Sequence, residues 1–261
     1  MACVIHFIRY NQNVWRFNMA YALILGATSD MAKAVVRRYA KEGYDFYLAA
    51  RKPDDLADFA TELSQRYTCS VSLHQLDILD TATHKAFYET LSEEPELVFS
   101  FVGLLGDQKQ AEQDNHHAEL ILASNFTALV SMLSIIAASF ERRGSGALIV
   151  VSSVAGDRGR QSNYIYGAAK AGLTAYLSGL RNRLFKSGVH VLTVKPGFVA
   201  TKMTAALQLP KLLTASPDTV AKAIYKAQLN KQNVLYTMSV WRYILFVIRL
   251  IPEGLFKRLS L

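Results

Sequence analysis

The chain has 261 residues, 51% of them hydrophobic and 19% charged, with no low-complexity tract, collagen-like period or internal repeat, which excludes disorder and fibrous architectures. Its two cysteines, Cys3 and Cys69, form no CxxC or Cys/His pattern, and the adjacent His116 and His117 would point to different sides of a helix; no metal centre or disulfide framework is expected, and a reducing, cytoplasmic setting fits. The net charge of +8 is unevenly spread: Lys231, Arg242, Arg249, Lys257 and Arg258 face only Glu253 within residues 231–261, so no nucleic-acid partner is read from the total.

Residues 1–18, MACVIHFIRYNQNVWRFN, lack a charged start and a small-residue cleavage site, and read as an accessory or misassigned extension, with a membrane anchor as the alternative. From Met19 onward, short β-rich runs recur at 21–25, 45–50, 70–75, 97–102, 147–152, 190–195 and 234–236, with helical patterns between them. Runs such as ALIVVS and HVLTV have the composition of strands buried on both faces of a parallel sheet, and the connections are long enough for right-handed crossovers. The expectation is an α/β, Rossmann-type doubly wound sheet of about seven strands in one domain, residues 19–240. Ligands of such sheets sit beyond the carboxyl ends of the strands, where Gly26, Asp77, Gly103, Ser153 and Pro196 fall. Residues 241–261 form a basic amphipathic tail whose apolar run, 243–251, is interrupted by Arg249 and halted by Pro252; it is too short and too charged to span a bilayer.

The chemistry concentrates in SSVAGDRGRQSNYIYGAAKAGL, residues 152–173. Tyr166 and Lys170 stand four apart, on one face of a helix, and Ser153 lies at a strand end upstream. With thirteen tyrosines, roughly one such pair is expected by chance, so its placement after the fifth strand carries the weight. A tyrosine hydroxyl can give a proton to a developing alkoxide if a nearby ammonium lowers its pKa, while a serine hydroxyl holds the carbonyl oxygen. This is acid catalysis suited to ketone reduction.

With these motifs in this order, the chain resembles the short-chain dehydrogenase/reductase family across residues 19–240. The resemblance implies Tyr166 as general acid or base, Lys170 tuning it and holding the nicotinamide ribose, Ser153 orienting the carbonyl, and Asn125 in ASNFTAL supporting a proton relay. It implies Asp77 beside the adenine and the segment from Pro196 and Gly197 to Val199 and Thr201 beside the nicotinamide. The implied cofactor set also holds Gly26, Thr28, Ser29, Met31, Arg51, Ile78 and Gly103, along with Tyr166 and Lys170. Members are commonly dimers or tetramers through the helices carrying Asn125 and Tyr166.

The glycine-rich turn departs from the family pattern TGxxxGxG. Gly26 is kept, but Asp30 and Ala32 stand at the other two glycine positions. Gly26 can still make the tight turn, and Thr28, Ser29 and backbone amides can still face phosphate at a helix start. Asp30 must turn aside from a pyrophosphate, and a helix-capping role is expected for it. At the end of the second strand, Ala49-Ala50-Arg51-Lys52 offers an arginine in place of a carboxylate, which favours NADP over NAD; the alternative is a solvated basic pair.

A narrower resemblance runs through FVGLLGD (101–107), AGDRGRQSNYIYG (155–167), the GATSDMA turn and the tail. These segments are similar to the decaprenylphospho-erythro-pentofuranosid-2-ulose 2-reductase group, which implies a lipid-linked keto-sugar substrate, a flavin oxidase partner and a place on the inner face of the cell membrane. Leu104, Arg158 and Arg160 are the substrate candidates, the arginines as partners for a phosphate. Trp241, Tyr243, Phe246 and Phe256 are candidate membrane anchors, against the alternative that the tail docks on its own domain or a subunit interface. A soluble reductase of small or acyl-chain ketones and a non-enzymatic nucleotide-binding scaffold are the competing readings.

Overall fold

The computed structural model describes residues 20–205 and 208–259. The expectation for residues 1–18 lies outside them. The strands are β1 (Tyr21–Leu25), β2 (Asp45–Ala50), β3 (Val71–Gln75), β4 (Leu97–Ser100), β5 (Ala147–Val151), β6 (His190–Lys195), β7 (Phe198–Val199), β8 (Thr214–Ala215) and β9 (Val234–Tyr236). The helices are α1 (Asp30–Ala40), α2 (Ala57–Tyr67), α3 (His84–Glu89), α4 (Gln108–Ala111), α5 (Asn115–Leu122), α6 (Ala128–Arg143), α7 (Tyr164–Leu184), α8 (Pro217–Leu229), α9 (Ser239–Leu250) and α10 (Glu253–Phe256).

Seven strands form one parallel sheet in the order β3-β2-β1-β4-β5-β6-β9. Side chains alternate across it because successive residues of a strand point to opposite faces. Ala22, Ile24, Phe46, Leu48, Phe99 and Ile149 join the layer made by α1, α2 and α8. Leu23, Leu25, Tyr47, Val98, Leu148 and Val150 join the layer made by α3, α6 and α7. Both faces being covered, the strands read as continuous apolar runs, and all seven expected runs are strands. Those at 97–102 and 147–152 overrun by one or two residues, because the chain turns out of the sheet after Ser100 and after Val151. The ribbon of β7 and β8 was not anticipated, since two-residue strands carry no period to read.

The helical run 115–143 is long and apolar enough to cross a membrane, with a mean hydropathy of 2.0 in its most apolar window. Half of that window is buried in the domain, where Leu129, Met132, Leu133 and Ile136 are fully enclosed. Its hydropathy is that of a core helix.

The tail divides its residues between domain and solvent. On α9, Trp241 and Leu245 are buried with Val154, and Phe198, Tyr236, Ile244 and Ile248 pack around them. Tyr243, Phe246, Val247 and Leu250 are each at least 60% exposed. Trp241 is therefore a packing residue and not a surface anchor, because its 4% exposure leaves the indole nothing to offer a bilayer. Phe256 is likewise removed from the anchor set: its ring lies under the Arg158 guanidinium, 4.0 Å away.

Leu177, fully buried against the second face of the sheet, tests the core reading. Leu177→Ala is expected to lower stability by about 2–5 kcal/mol in urea denaturation, whereas Tyr243→Ala, at a 69% exposed site, should stay within about 0.5 kcal/mol of the parent protein.

Candidate active site

A cleft of about 530 Å³ opens along the carboxyl ends of β1, β2 and β4. Of the residues expected to hold a cofactor, Gly26, Thr28, Ser29, Met31, Arg51, Asp77, Ile78, Gly103 and Thr201 line it, as does the substrate candidate Leu104. Gly26 has φ of +76°, and a Cβ there would sit 3.0 Å from the Val102 nitrogen, so the turn that remains after loss of the other two glycines still needs this one. The start of α1 has no side-chain cap, leaving its first amides free to meet phosphate. A dinucleotide phosphate fits this cradle.

Asp30 turns aside, as expected, but the cap is not on its own helix. Its Oδ2 accepts from the Lys202 N–H at 2.8 Å, a residue 172 positions later. The carboxylate thereby caps the helical turn Lys202–Thr204 and joins the first turn of the fold to the far wall of the cleft. Asp77 makes a local turn, its Oδ1 accepting from the Leu79 N–H at 3.0 Å, and stays exposed at the cleft. Arg51 is exposed on the same rim.

The catalytic candidates gather where β5, α7 and the α5–α6 helix meet. Ser153 follows β5 and Tyr166 lies in the first turn of α7; the two side chains are hydrogen-bonded. Lys170 is one turn further on, 2% exposed, with its Nζ donating to the Val151 carbonyl at 3.1 Å and lying 5.7 Å from the Tyr166 ring centre. Asn125 is fully buried in a π-helical turn, Ala123–Thr127, that interrupts the α5–α6 run. Its Nδ2 donates to the carbonyls of Leu104 (2.6 Å) and Ile121 (2.8 Å), and its Oδ1 accepts from the Leu104 N–H (3.2 Å). Asn125 therefore fixes the loop after β4. Gly103 joins this group to the cleft, since a Cβ there would lie 3.0 Å from Asn125 Oδ1 and 3.4 Å from Lys170 Nζ. Pro196 and Gly197 follow β6, with the Pro196 carbonyl accepting from the Val154 N–H at 3.1 Å; Val199 is buried in β7.

Burial pushes the Tyr166 hydroxyl up to about 12, with the Ser153 hydrogen bond acting in the opposite sense. Lys170, stripped of water, is lowered to about 7. Burial is the main influence on both groups, and the phenol, raised from its ordinary value, stays protonated, the form that can give a proton.

The two substrate arginines separate. Arg158 is committed to the tail: its Nη1 donates to the carbonyls of Ile248 (3.3 Å), Arg249 (3.2 Å) and Ile251 (2.9 Å), and its Nη2 to Glu253 (2.8 Å). It caps the end of α9 and has no donor pair facing a substrate, so its expected phosphate role is corrected. Arg160 has a buried Nε without a partner among the described residues, and burial lowers its pKa. Asp157, next to Arg158 and not singled out from the sequence, accepts from Lys195 Nζ at 2.5 Å and from the Tyr236 hydroxyl at 2.7 Å. Only the charge of Lys195 at a strand end hinted at such a partner.

The pH response follows from Lys170. Below about pH 7 it is charged in folded and unfolded chains alike; between about 7 and 10.5 the unfolded chain keeps the proton that the folded chain has lost, so stability rises with pH across that window. Cofactor-free protein should gain up to about 1.4 kcal/mol per pH unit there, and Lys170→Met should flatten the rise in urea denaturation; an equal rise in the variant would assign it to other groups.

A short chain dehydrogenase family profile matches residues 20–211. The chain is 37% identical over 92% of its length to an uncharacterized oxidoreductase of Mycobacterium tuberculosis, 97% of which is covered. It is 33% identical over 70% of its length to sulfoacetaldehyde reductase 2 of Chromohalobacter salexigens, 73% of which is covered. A short-chain dehydrogenase from Sphingobium yanoikuyae in complex with NADPH has a similar fold, with a TM-score of 0.77, 23% identity, and coverage of 92% of this chain and 96% of that one. The chain belongs to the short-chain dehydrogenase family and is accordingly an NAD(P)-dependent oxidoreductase.

Proposed function

We propose that the protein is an NADPH-dependent ketoreductase acting on a keto sugar carried by a polyprenyl phosphate, in the cytoplasm at the inner face of the cell membrane, within cell-envelope polysaccharide synthesis. The observation that carries the ketoreductase reading is the meeting of Ser153, Tyr166 and Lys170 where the Gly26 cleft ends at Gly103. NADPH would lie with its phosphates at the start of α1, its adenine by Asp77 and Ile78, and its nicotinamide by Pro196, Gly197, Val199 and Thr201; when bound, it supplies the hydride. Ser153 holds the carbonyl oxygen. Tyr166 gives that oxygen its proton, and Lys170, with ribose hydroxyls as partners, stabilises the tyrosinate left behind. Asn125 holds the Leu104 loop beside them and supports the return of a proton to the site. Arg51, exposed on the rim where a carboxylate would select NAD, supports NADP, as does the NADPH held by the Sphingobium neighbour.

Two observations support the lipid-linked substrate. Arg160, which falls between Ser153 and Tyr166 in the sequence, keeps a half-buried guanidinium whose Nε has no partner among the described residues, suited to a phosphate. The outward face of α9 offers Tyr243, Phe246, Val247 and Leu250 beside Arg242 and Arg249, suited to an anionic bilayer surface. A flavin oxidase making the ketone, and assembly as a homodimer or homotetramer through α5, α6 and α7, complete the reading. A soluble reductase of small carbonyl compounds is the second reading, favoured by the 33% identity to sulfoacetaldehyde reductase 2.

The test is NADPH oxidation with a synthetic short-chain polyprenyl-phosphate 2-keto pentose beside a panel of soluble ketones. Turnover confined to the lipid-linked sugar, reduced by about a hundredfold or more in Tyr166→Phe and with a raised KM in Arg160→Ala, is expected. Turnover of soluble ketones alone would move the function to the second reading, and a tenfold preference for NADH would overturn NADP. For the tail, Phe246→Ser combined with Leu250→Ser should abolish sedimentation with anionic vesicles while leaving the melting temperature unchanged; unaltered sedimentation would remove the membrane contact.

A further inference from the structure

The tail helix meets the catalytic apparatus chiefly through Trp241. This residue touches Gly197, Phe198 and Leu213. Its indole lies against Gly197, so closely that a Cβ on that glycine would fall 2.0 Å from Nε1 and 2.1 Å from the neighbouring ring carbon. Its N–H donates to the Leu213 carbonyl at 3.2 Å. Its ring meets Phe198 edge-on, with centres 5.1 Å apart and planes at 85°.

These contacts hold Phe198, which leads into the cleft residues Thr201, Lys202 and Met203, and Leu213, which leads into β8. They also reach the catalytic turn. Val154, next to Ser153, packs in the same cluster as Trp241 and Leu245, and its N–H is bonded to the Pro196 carbonyl. Two further clamps keep α9 seated: Arg158 on its last carbonyls, and Asp157 joining Lys195 of β6 to Tyr236 of β9. Five consecutive residues, from Val154 to Arg158, thus give three independent ties to the C-terminal elements.

We propose that Trp241 is a positioning residue for the reduction: by wedging between Gly197, Phe198 and Leu213 it sets the distance between the Pro196–Gly197 turn and Ser153, and so makes α9 a wall of the active site. The turnover part of this proposal rests on the ketoreductase reading; the geometric part does not. The ring fills the space that Gly197 leaves open, and the indole N–H adds a bond to the Leu213 carbonyl. A displacement of about 1 Å in a reacting group can lower a rate by up to about a hundredfold.

The experiment uses the full chain with Trp241→Phe, Trp241→Ala, Gly197→Ala and the Gly197→Ala/Trp241→Ala double variant. Hydrogen exchange is followed by mass spectrometry, NADPH binding by its fluorescence, and turnover with the synthetic polyprenyl-phosphate 2-keto pentose and with phenanthrenequinone as a soluble diketone, well below each melting temperature. Trp241→Ala should raise exchange in 152–158, 196–205 and 208–213 as well as in α9, and lower kcat by about tenfold or more. Trp241→Phe, which keeps a ring in the wedge, should restore most of both. Gly197→Ala should reproduce the loss by expelling the indole, and should cost much less once the indole is gone. Exchange rising only within α9 with kcat intact, or losses that multiply in the double variant, would overturn the proposal. If Trp241→Ala does not fold, Gly197→Ala against Trp241→Phe carries the same comparison. Absence of turnover of both carbonyl compounds in the parent protein would count against the ketoreductase reading, while the exchange pattern would still decide the position of the wedge.

Discussion

The structure turns on the burial of one ammonium group. Lys170 is 2% exposed and its Nζ is bonded to a backbone carbonyl, with no carboxylate beside it among the described residues, an arrangement that opposes folding and drives its pKa down to about 7. Such a group persists only if its surroundings leave it no other place. The apolar seam between α7 and the sheet does this, with Leu173 and Leu177 fully buried below it and the Ser152 hydroxyl bonded to the Lys170 carbonyl at 3.0 Å and to Thr174 at 2.8 Å. The helix is pinned to β5 at the level of Lys170, and Tyr166, one turn earlier, is thereby brought to Ser153.

The opposite wall is built from polar bonds across long sequence distances. Asn125 uses both ends of its amide on the Leu104 loop and the Ile121 carbonyl, a demand that an unbroken α-helix would not place on it, and the π-helical turn lies at that residue. Asp30 reaches Lys202 across the cleft. The substitution of a phosphate-turn glycine by aspartate thus has a structural use: the carboxylate that would repel a pyrophosphate instead satisfies the first amide of a helical turn on the facing wall.

The C-terminal helix shows how an amphipathic pattern can serve two surfaces. Trp241 and Leu245 point into the domain, while Tyr243, Phe246, Val247 and Leu250 remain outside. Docking on the domain and docking on a bilayer are therefore compatible, each drawing on a different face. What joins them is that the inward face bears on the Pro196–Gly197 turn and on Val154.

By itself the sequence determined the seven-stranded parallel sheet, because strands covered on both faces must be nearly continuous apolar runs, and it determined that Tyr166 and Lys170 share a helix face and that Ser153 ends a strand, because those placements follow from local spacing. Tertiary structure alone decided the rest. Arg158 looked like a phosphate ligand and is a helix cap, since a guanidinium goes to whichever acceptors the fold presents, here three carbonyls at the end of α9. Trp241 looked like a surface anchor and is a buried wedge, because the hydropathy of a helix states how much apolar surface it has, not what that surface meets. Asp157 carried no signal, as its partners lie 38 and 79 residues away. Local spacing specifies which residues share a face; which faces meet is set by packing across the whole chain, and no short stretch of sequence contains it.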